Sequence, residues 1–182
     1  YYTGDTVTLD SSGASASFSN ANAANGKTVT VTGLTLNNSN YSIADQTTTA
    51  NITAKVLTLS GLTAANKVYN TSTGATISSY GSLTGGASAD NDNKYYTGDV
   101  VSLVSTGASS SFADPNVGTG KTVTVTGLAL SNNNYSIADH TTTANITAKV
   151  LTLSGLTAAN KVYNTSSSAT ISSYGSLTGG AS

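Results

Sequence analysis

The chain has no cysteine, methionine or tryptophan, and it also lacks glutamate and arginine, so every acid is aspartate and every base lysine. Without thiols there is neither a disulfide scaffold nor a thiolate metal site. Charged residues make up only 8% of the chain, against about 25% in ordinary globular domains, so its polarity rests on Ser, Thr, Asn and Gly. A net charge of −1 offers no clustered basic face, which excludes a nucleic-acid partner. No apolar run approaches the ~20 residues of a membrane-spanning helix, so no membrane insertion is expected. No signal peptide opens the sequence, and the chain is expected either to lack its targeting segment or to be cut from a longer one. With one histidine, His140, and no Cys or Glu, the usual acid–base partners of catalysis are nearly missing. The chain reads as non-enzymatic and without a cofactor.

What the sequence does have is repetition. Tyr1 recurs as Tyr95, Lys27 as Lys121 and Tyr69 as Tyr163, a constant offset of 94 residues, and 71 of the 88 aligned pairs are identical without any insertion. The stretch 40–72 returns at 134–166 with one change, Gln46 to His140. A fixed period of this size means an array of like modules. A module near 94 residues is long enough to bury its own core, being well above the floor of about 40 residues below which staples are needed.

Within one period the pattern is that of short strands. Tyr1 to Leu9 alternates at its end (Val7 and Leu9 against Thr6 and Thr8), which predicts a half-buried strand entered through a turn at Thr3–Asp5. Lys27 to Leu36, KTVTVTGLTL, puts Val29 and Val31 on one face and threonines on the other; after Gly33 the apolar positions become Leu34 and Leu36. That parity flip predicts a bulge or a strand changing sheets. Tyr41 and Ile43 start another alternating strand. Thr47 to Leu59 reads as the last strand of one module running almost directly into the first strand of the next. Pro115 falls in a loop. Nowhere do apolar residues recur at helical spacing over eleven or more residues. The expected class is all-β, of sandwich type.

The motifs KVYNTS (67–72), GKTVTVTGL, NYSIAD and TTTANIT, in that order, resemble the YDG-type repeats, and the neighbouring bacterial Ig-like (MBG-like) repeats, of large filamentous-haemagglutinin-like Gram-negative surface adhesins. The family signature reads roughly K-V-Y-D-G-T-T. Its positions here are Lys67, Val68, Tyr69 and Asn70, and again Lys161, Val162, Tyr163 and Asn164. Asn stands for the signature Asp, and Thr71 and Thr165 stand for the glycine. The resemblance implies tandem Ig-like β-sandwich modules, extracellular at the bacterial cell surface. In the family's frame residues 1–55 are the C-terminal part of one module, 56–149 a complete module, and 150–182 the N-terminal part of the next. The function this implies is a non-catalytic stalk or spacer of an adhesin or matrix filament that carries a distal ligand-binding domain. The alternative is a repeated carbohydrate- or surface-binding module acting by avidity. Partners would be neighbouring repeats of the same or identical chains, joined end to end by strand complementation, since open sheet edges recruit strands.

Individual residues add little chemistry. His140 has glutamine in its partner position and reads as a solvated loop residue. Asp90 and Asp92 are calcium candidates, because hard cations want clustered oxygens; but Lys94 occupies the third ligand position and no Glu follows, so a solvated linker is the reading and no metal site is assigned. Tyr1–Tyr2 and Tyr95–Tyr96 could stack on sugars, with one of each pair turned inward by alternation. Bacterial Ig-like stalks sometimes carry a Lys–Asn isopeptide bond promoted by a buried acid. Lys67, Asn145 (or Asn134) and Asp139 are the candidates such a likeness implies.

Overall fold

In a computed structural model that describes residues 1–178, the chain is all-β, with no helix among the described residues. The first copy supplies β1 (Leu9–Asp10), β2 (Ser15–Phe18), β3 (Ala24–Thr32), β4 (Thr35–Leu36) and β5 (Gln46–Ile52). The middle of the chain supplies β6 (Lys55–Leu57), β7 (Leu59–Ser60), β8 (Thr63–Ala64), β9 (Lys67–Val68), β10 (Ile77–Ser79) and β11 (Ser82–Leu83). The second copy repeats the first as β12 (Leu103–Val104), β13 (Ser109–Phe112), β14 (Gly118–Thr126), β15 (Ala129–Leu130), β16 (Tyr135–Ile137) and β17 (His140–Thr147). A last hairpin consists of β18 (Leu153–Ala158) and β19 (Ile171–Leu177).

The alternating Lys-Thr-Val-Thr-Val-Thr of β14 makes it the central strand. Val123 and Val125 point inward and are fully buried, while β13 and β17 pair antiparallel on either side. Phe112 lies opposite Val123, and Ala144 and Ile146 of β17 complete the cluster. Ala64 and Ile77, from the β8–β10 ladder, cover this face together with Ala75. Burying each of the large side chains contributes about 1.5–3 kcal/mol. At Gly127 (φ +72°) β14 ends and the chain enters β15, which belongs to a different ladder, with β12. The parity flip read from the sequence is therefore a strand changing sheets, and Gly33 (φ +74°) does the same between β3 and β4 in the first copy.

Two parallel pairings close the middle of the chain onto the second copy. β9 adds to the outer edge of β17, with Lys67 beside Ile146 and Val68 beside Thr147, giving the order β13-β14-β17-β9. β6 pairs with β16, Tyr135 beside Lys55 and Ile137 beside Leu57. Beyond β9 the chain crosses to the opposite edge, where Phe112 N–H donates to Thr73 O (2.8 Å) and Ala75 N–H to Ser110 O (3.2 Å). Tyr69 N–H extends the β9 ladder to Thr147 O (2.8 Å).

The two copies differ in burial although their sequences barely differ. The first copy forms the sheet β2-β3-β5, but no described segment lies on the outer edge of β5, and residues 41–43, the counterpart of β16, form no strand. Phe18 is 40% exposed where Phe112 is 2% exposed, and Leu151 is 53% exposed where Leu57 is 1% exposed. Apart from Lys27, every buried residue among those described lies from Leu57 to Ile146.

Three expectations fail on local geometry, the first being the strand begun by Tyr41 and Ile43, which forms at Tyr135–Ile137 but not at 41–43. Tyr1 to Leu9 is not one strand: Asp5 N–H turns back to Tyr2 O (3.1 Å), and pairing begins only at Leu9. The Thr-Gly-Asp turn forms where it was expected, but Thr6 to Thr8 beyond it join no ladder. Nor is His140 a loop residue; it opens β17 opposite Val125.

Candidate functional site

The densest polar cluster sits where the first copy meets the second. Lys55, on β6, reaches Asp92 with its ammonium (2.9 Å), donates to Ala89 O and lies over the Tyr96 ring at 4.5 Å. Asp92 also accepts from the backbone N–H groups of Ser88 (2.7 Å) and Lys94 (3.0 Å), so its carboxylate folds the 88–94 loop around the lysine. Tyr96 donates its hydroxyl to Asp90 (2.8 Å). Beside them the buried Tyr135 donates to Asp99 and accepts from Tyr96 N–H (3.0 Å). These groups border a cleft of about 870 Å³ whose far wall is the 21–23 loop of the first copy. That loop is tied across: Ala23 N–H donates to Asn134 Oδ1 (2.8 Å), while Lys55 N–H donates to Asn134 O (2.9 Å).

The electrostatics lock each group in its ordinary form. The Lys55 hydrogen bond, and after it the Ser88 N–H, holds the Asp92 carboxyl far below the usual carboxylate range. Burial pulls Lys55 down, but its contacts with Asp92 outweigh that and leave its ammonium above the usual lysine range. The Asp90 bond pushes the Tyr96 phenol up, and burial followed by Asp99 pushes Tyr135 up. All four shifts move away from neutrality, whereas proton transfer near pH 7 needs a group titrating there. The arrangement holds two chain segments together.

An acid dependence follows. Asp114, paired with Lys121 (2.6 Å), is lowered like Asp92, first by the lysine and then by Asn116 N–H. A carboxyl depressed on folding contributes stability that is present above its unfolded value, near 3.9, and lost as pH falls through the folded value. Denaturant midpoints should therefore be level from neutral pH to about pH 5 and decline below about pH 4. Asp92→Asn should start lower at neutral pH and decline less steeply, and an unchanged acid limb would refute the assignment.

The sequence candidates are placed as follows. Asp90 and Asp92 do come together, but not as solvated linker residues: Asp92 is half-buried, and the cation at its oxygens is the Lys55 ammonium. His140 accepts Leu59 N–H at Nε2 (3.0 Å), so the Nδ1 proton is the one that faces Ala138 O (2.8 Å). Nε2 thus ties β17 to β7, while Nδ1 closes on the turn just before its own strand. Tyr95 packs against Gly85 and Tyr96 caps Lys55, but Tyr1 and Tyr2 are both exposed rather than one of the two. Lys67 and Asn145 stand on neighbouring strands, yet their side chains part. The Lys67 ammonium donates to Ser72 O (2.5 Å) and Gly74 O (3.1 Å), and Asn145 Oδ1 accepts from Gly120 N–H (2.8 Å). Asn134 is held at the first-copy loop, and Asp139 is exposed. Without a buried acid or a meeting of amine and amide, the intact mass should equal that of the plain sequence. A loss of one ammonia would show the contrary.

The signature residues have a structural role. Lys67 and Val68 are β9 itself, and Asn70 Oδ1 accepts from Ser72 N–H (3.2 Å) to turn the chain. Thr71 sits at φ +66° and Thr165 at φ +63°, a region where a β-branched residue is strained. Both occupy the glycine position of the signature. Thr71→Gly should relieve about 1–3 kcal/mol of strain, less the ~0.5–1 kcal/mol of added chain entropy, and so raise stability by roughly 1 kcal/mol; a lower denaturant midpoint would contradict this. By the same offset Lys161, Val162, Tyr163 and Asn164 repeat the motif, where Val162 and Tyr163 are 88% and 86% exposed against 53% and 37% for Val68 and Tyr69. Sequence reading missed Lys55, Tyr135 and Asp99. The available signal was the Tyr-x-x-Asp spacing: Tyr41 receives Tyr2 N–H (2.9 Å) and donates to Asp5 (2.6 Å) just as Tyr135 does with Tyr96 and Asp99.

No curated protein and no solved structure matches the chain. The family model of the YDG domain matches it over residues 1–50 and 53–144. That coverage takes in the β3 and β14 strands, both Tyr–Asp clamps and the KVYNTS turn, and the chain belongs to the YDG domain family.

Proposed function

We propose that the chain is a non-catalytic spacer of an extracellular bacterial surface adhesin or matrix filament, built of tandem Ig-like modules that hold a distal binding region away from the cell. The observation that carries this reading is the joint at Ile52–Lys55. β5 of the first copy passes into β6, which pairs into the second copy, with two residues between them and no Gly/Ser-rich linker. Asn134 then ties the two copies together from the side. In the family's frame, 1–55 and 150–182 are parts of adjoining modules and 56–149 is a whole one. Support for a passive role comes from the cluster at the joint, whose ionisable groups are occupied with one another, and from the scarcity of charge, which leaves few groups for a binding hot spot.

Solution scattering of the 182-residue chain tests the shape: an elongated particle without free hinging is expected, and a compact globule or freely jointed halves would refute the spacer. Glycan-array binding separates this reading from a repeated carbohydrate-binding module. No saturable binding is expected, and hits abolished by Tyr96→Ala would overturn it.

A further inference from the structure

The chain contains one finished joint and, separately, the two halves of a second. In the finished joint, residues 55–83 cover the open side of residues 95–147 through β6 on β16 and β9 on β17. Moving that register by the 94-residue offset predicts a matching joint in which Lys149 lies beside Tyr41, Leu151 beside Ile43, and Val162 beside Thr53. Both sides are present and unused. Among the described residues, 41–43 form no strand, no segment lies along the outer edge of β5, and 149–151 and 161–162 pair with nothing. Leu151, Leu156 and Tyr174 on one side and Phe18 on the other are exposed, whereas their counterparts in the finished joint, Leu57, Leu62, Tyr80 and Phe112, are buried or half-buried.

We propose that residues 150–178 of one chain complete the open sheet of residues 1–53 in a second copy, in the register that residues 55–83 hold within the chain. This rests on the geometry of the joint and not on the spacer reading. Three observations carry it. First, the donor is chemically the same: residues 149–178 differ from 55–84 only at Ser167 for Thr73 and Ser168 for Gly74. Second, the donor is already folded. β18 and β19 pair Leu153 with Leu177, Thr157 with Ser173 and Ala158 with Ile171, the register that Leu59–Leu83, Thr63–Ser79 and Ala64–Ile77 hold in the covered hairpin. The ordering entropy of association is correspondingly reduced. Third, the one difference in the edge from 40 to 53 preserves the hydrogen bonding. Gln46 donates Nε2–H to Ala44 O (2.9 Å) as His140 Nδ1 does to Ala138 O (2.8 Å). Its Oε1 is then free to accept Leu153 N–H, as His140 Nε2 accepts Leu59 N–H.

In the 182-residue chain the contact is heterologous, donor stretch to acceptor stretch, so it does not close on itself and copies add as an open chain. It reproduces between copies the joint that exists within one.

Disulfide trapping tests this, because the chain has no cysteine of its own and only strands in register bring Cα atoms within about 7 Å. Thr53→Cys and Val162→Cys variants of the 182-residue chain, mixed under mild oxidation, should form a cross-linked heterodimer. The double variant should form a ladder of dimers, trimers and longer species. The out-of-register pair Thr49→Cys with Val162→Cys should cross-link at least about tenfold less. Leu151→Asp, at an exposed position that leaves the chain folded, should abolish both the ladder and the concentration-dependent rise in mass seen by light scattering. A chain that stays monomeric at all concentrations, a disulfide formed within one chain, or equal trapping of the out-of-register pair would each overturn the proposal.

Discussion

Leu57→Ala should destabilise the chain by about 2–5 kcal/mol, and Leu151→Ala, the same substitution 94 residues on, should change the stability of the dilute monomer by less than about 0.5 kcal/mol. The two leucines sit in the same local sequence, KVLTLSGL. Leu57 is 1% exposed, on a strand paired in parallel with β16; Leu151 is 53% exposed, on a segment paired with nothing. Truncating Leu57 removes buried methyl groups and leaves a cavity that the β6–β16 pair cannot close, so transfer and cavity effects add. Truncating Leu151, 53% exposed, opens no enclosed cavity. Since a domain of this size is stable by only about 5–15 kcal/mol, Leu57→Ala alone should shift the denaturation midpoint by a large fraction of its range. The ten tyrosines give a fluorescence signal without tryptophan. Equal losses at both positions would mean that the exposed segment is covered in the monomer and would contradict the fold described above.

This pair also shows where reading the sequence stops. Alternation in KTVTVTGLTL correctly assigned the inward valines, and Gly33 with Gly127 marked the change of sheet, because both signals are local: side-chain direction alternates along a strand, and a positive φ selects glycine. What alternation cannot say is which strand lies alongside. The parallel additions of β6 and β9 join residues about 80 apart, and their outcome differs between two copies of one sequence according to whether a covering segment is within reach. Val29 and Val31 read the same as Val123 and Val125, yet only the latter are fully buried. The candidate site follows the same rule. Asp92 looks like a solvated linker aspartate until Lys55, from another strand, is placed against it. His140 looks like a loop histidine until Leu59 N–H arrives at its Nε2. Non-local partners, not residue type, decided both.

Gly81→Ala should be the most damaging change outside the core, at roughly 2–4 kcal/mol. Gly81 lies between β10 and β11, facing Gly61 between β7 and β8, at the kink that divides one hairpin into two ladders. A Cβ there would stand 2.1 Å from Ser60 O and 2.9 Å from Gly61 C and Leu62 N, all backbone atoms. No rotamer relieves such a contact, so the two strands must part, and the Ser82–Ser60 and Ile77–Ala64 pairings on either side lose alignment. The left-handed φ of +74° adds strain of its own. Gly86→Ala separates the two causes: its φ is +80° and nothing lies within 4 Å of a Cβ there, so it should cost only the conformational part, about 1 kcal/mol. Equal effects of the two substitutions would show that backbone conformation alone is at work. Gly175→Ala carries the same clash, 2.1 Å from Ser154 O, into the uncovered β18–β19 hairpin. It should leave the main denaturation transition in place while opening that hairpin. In the Thr53→Cys and Val162→Cys mixture it should therefore weaken cross-linking between copies without weakening the fold that receives it.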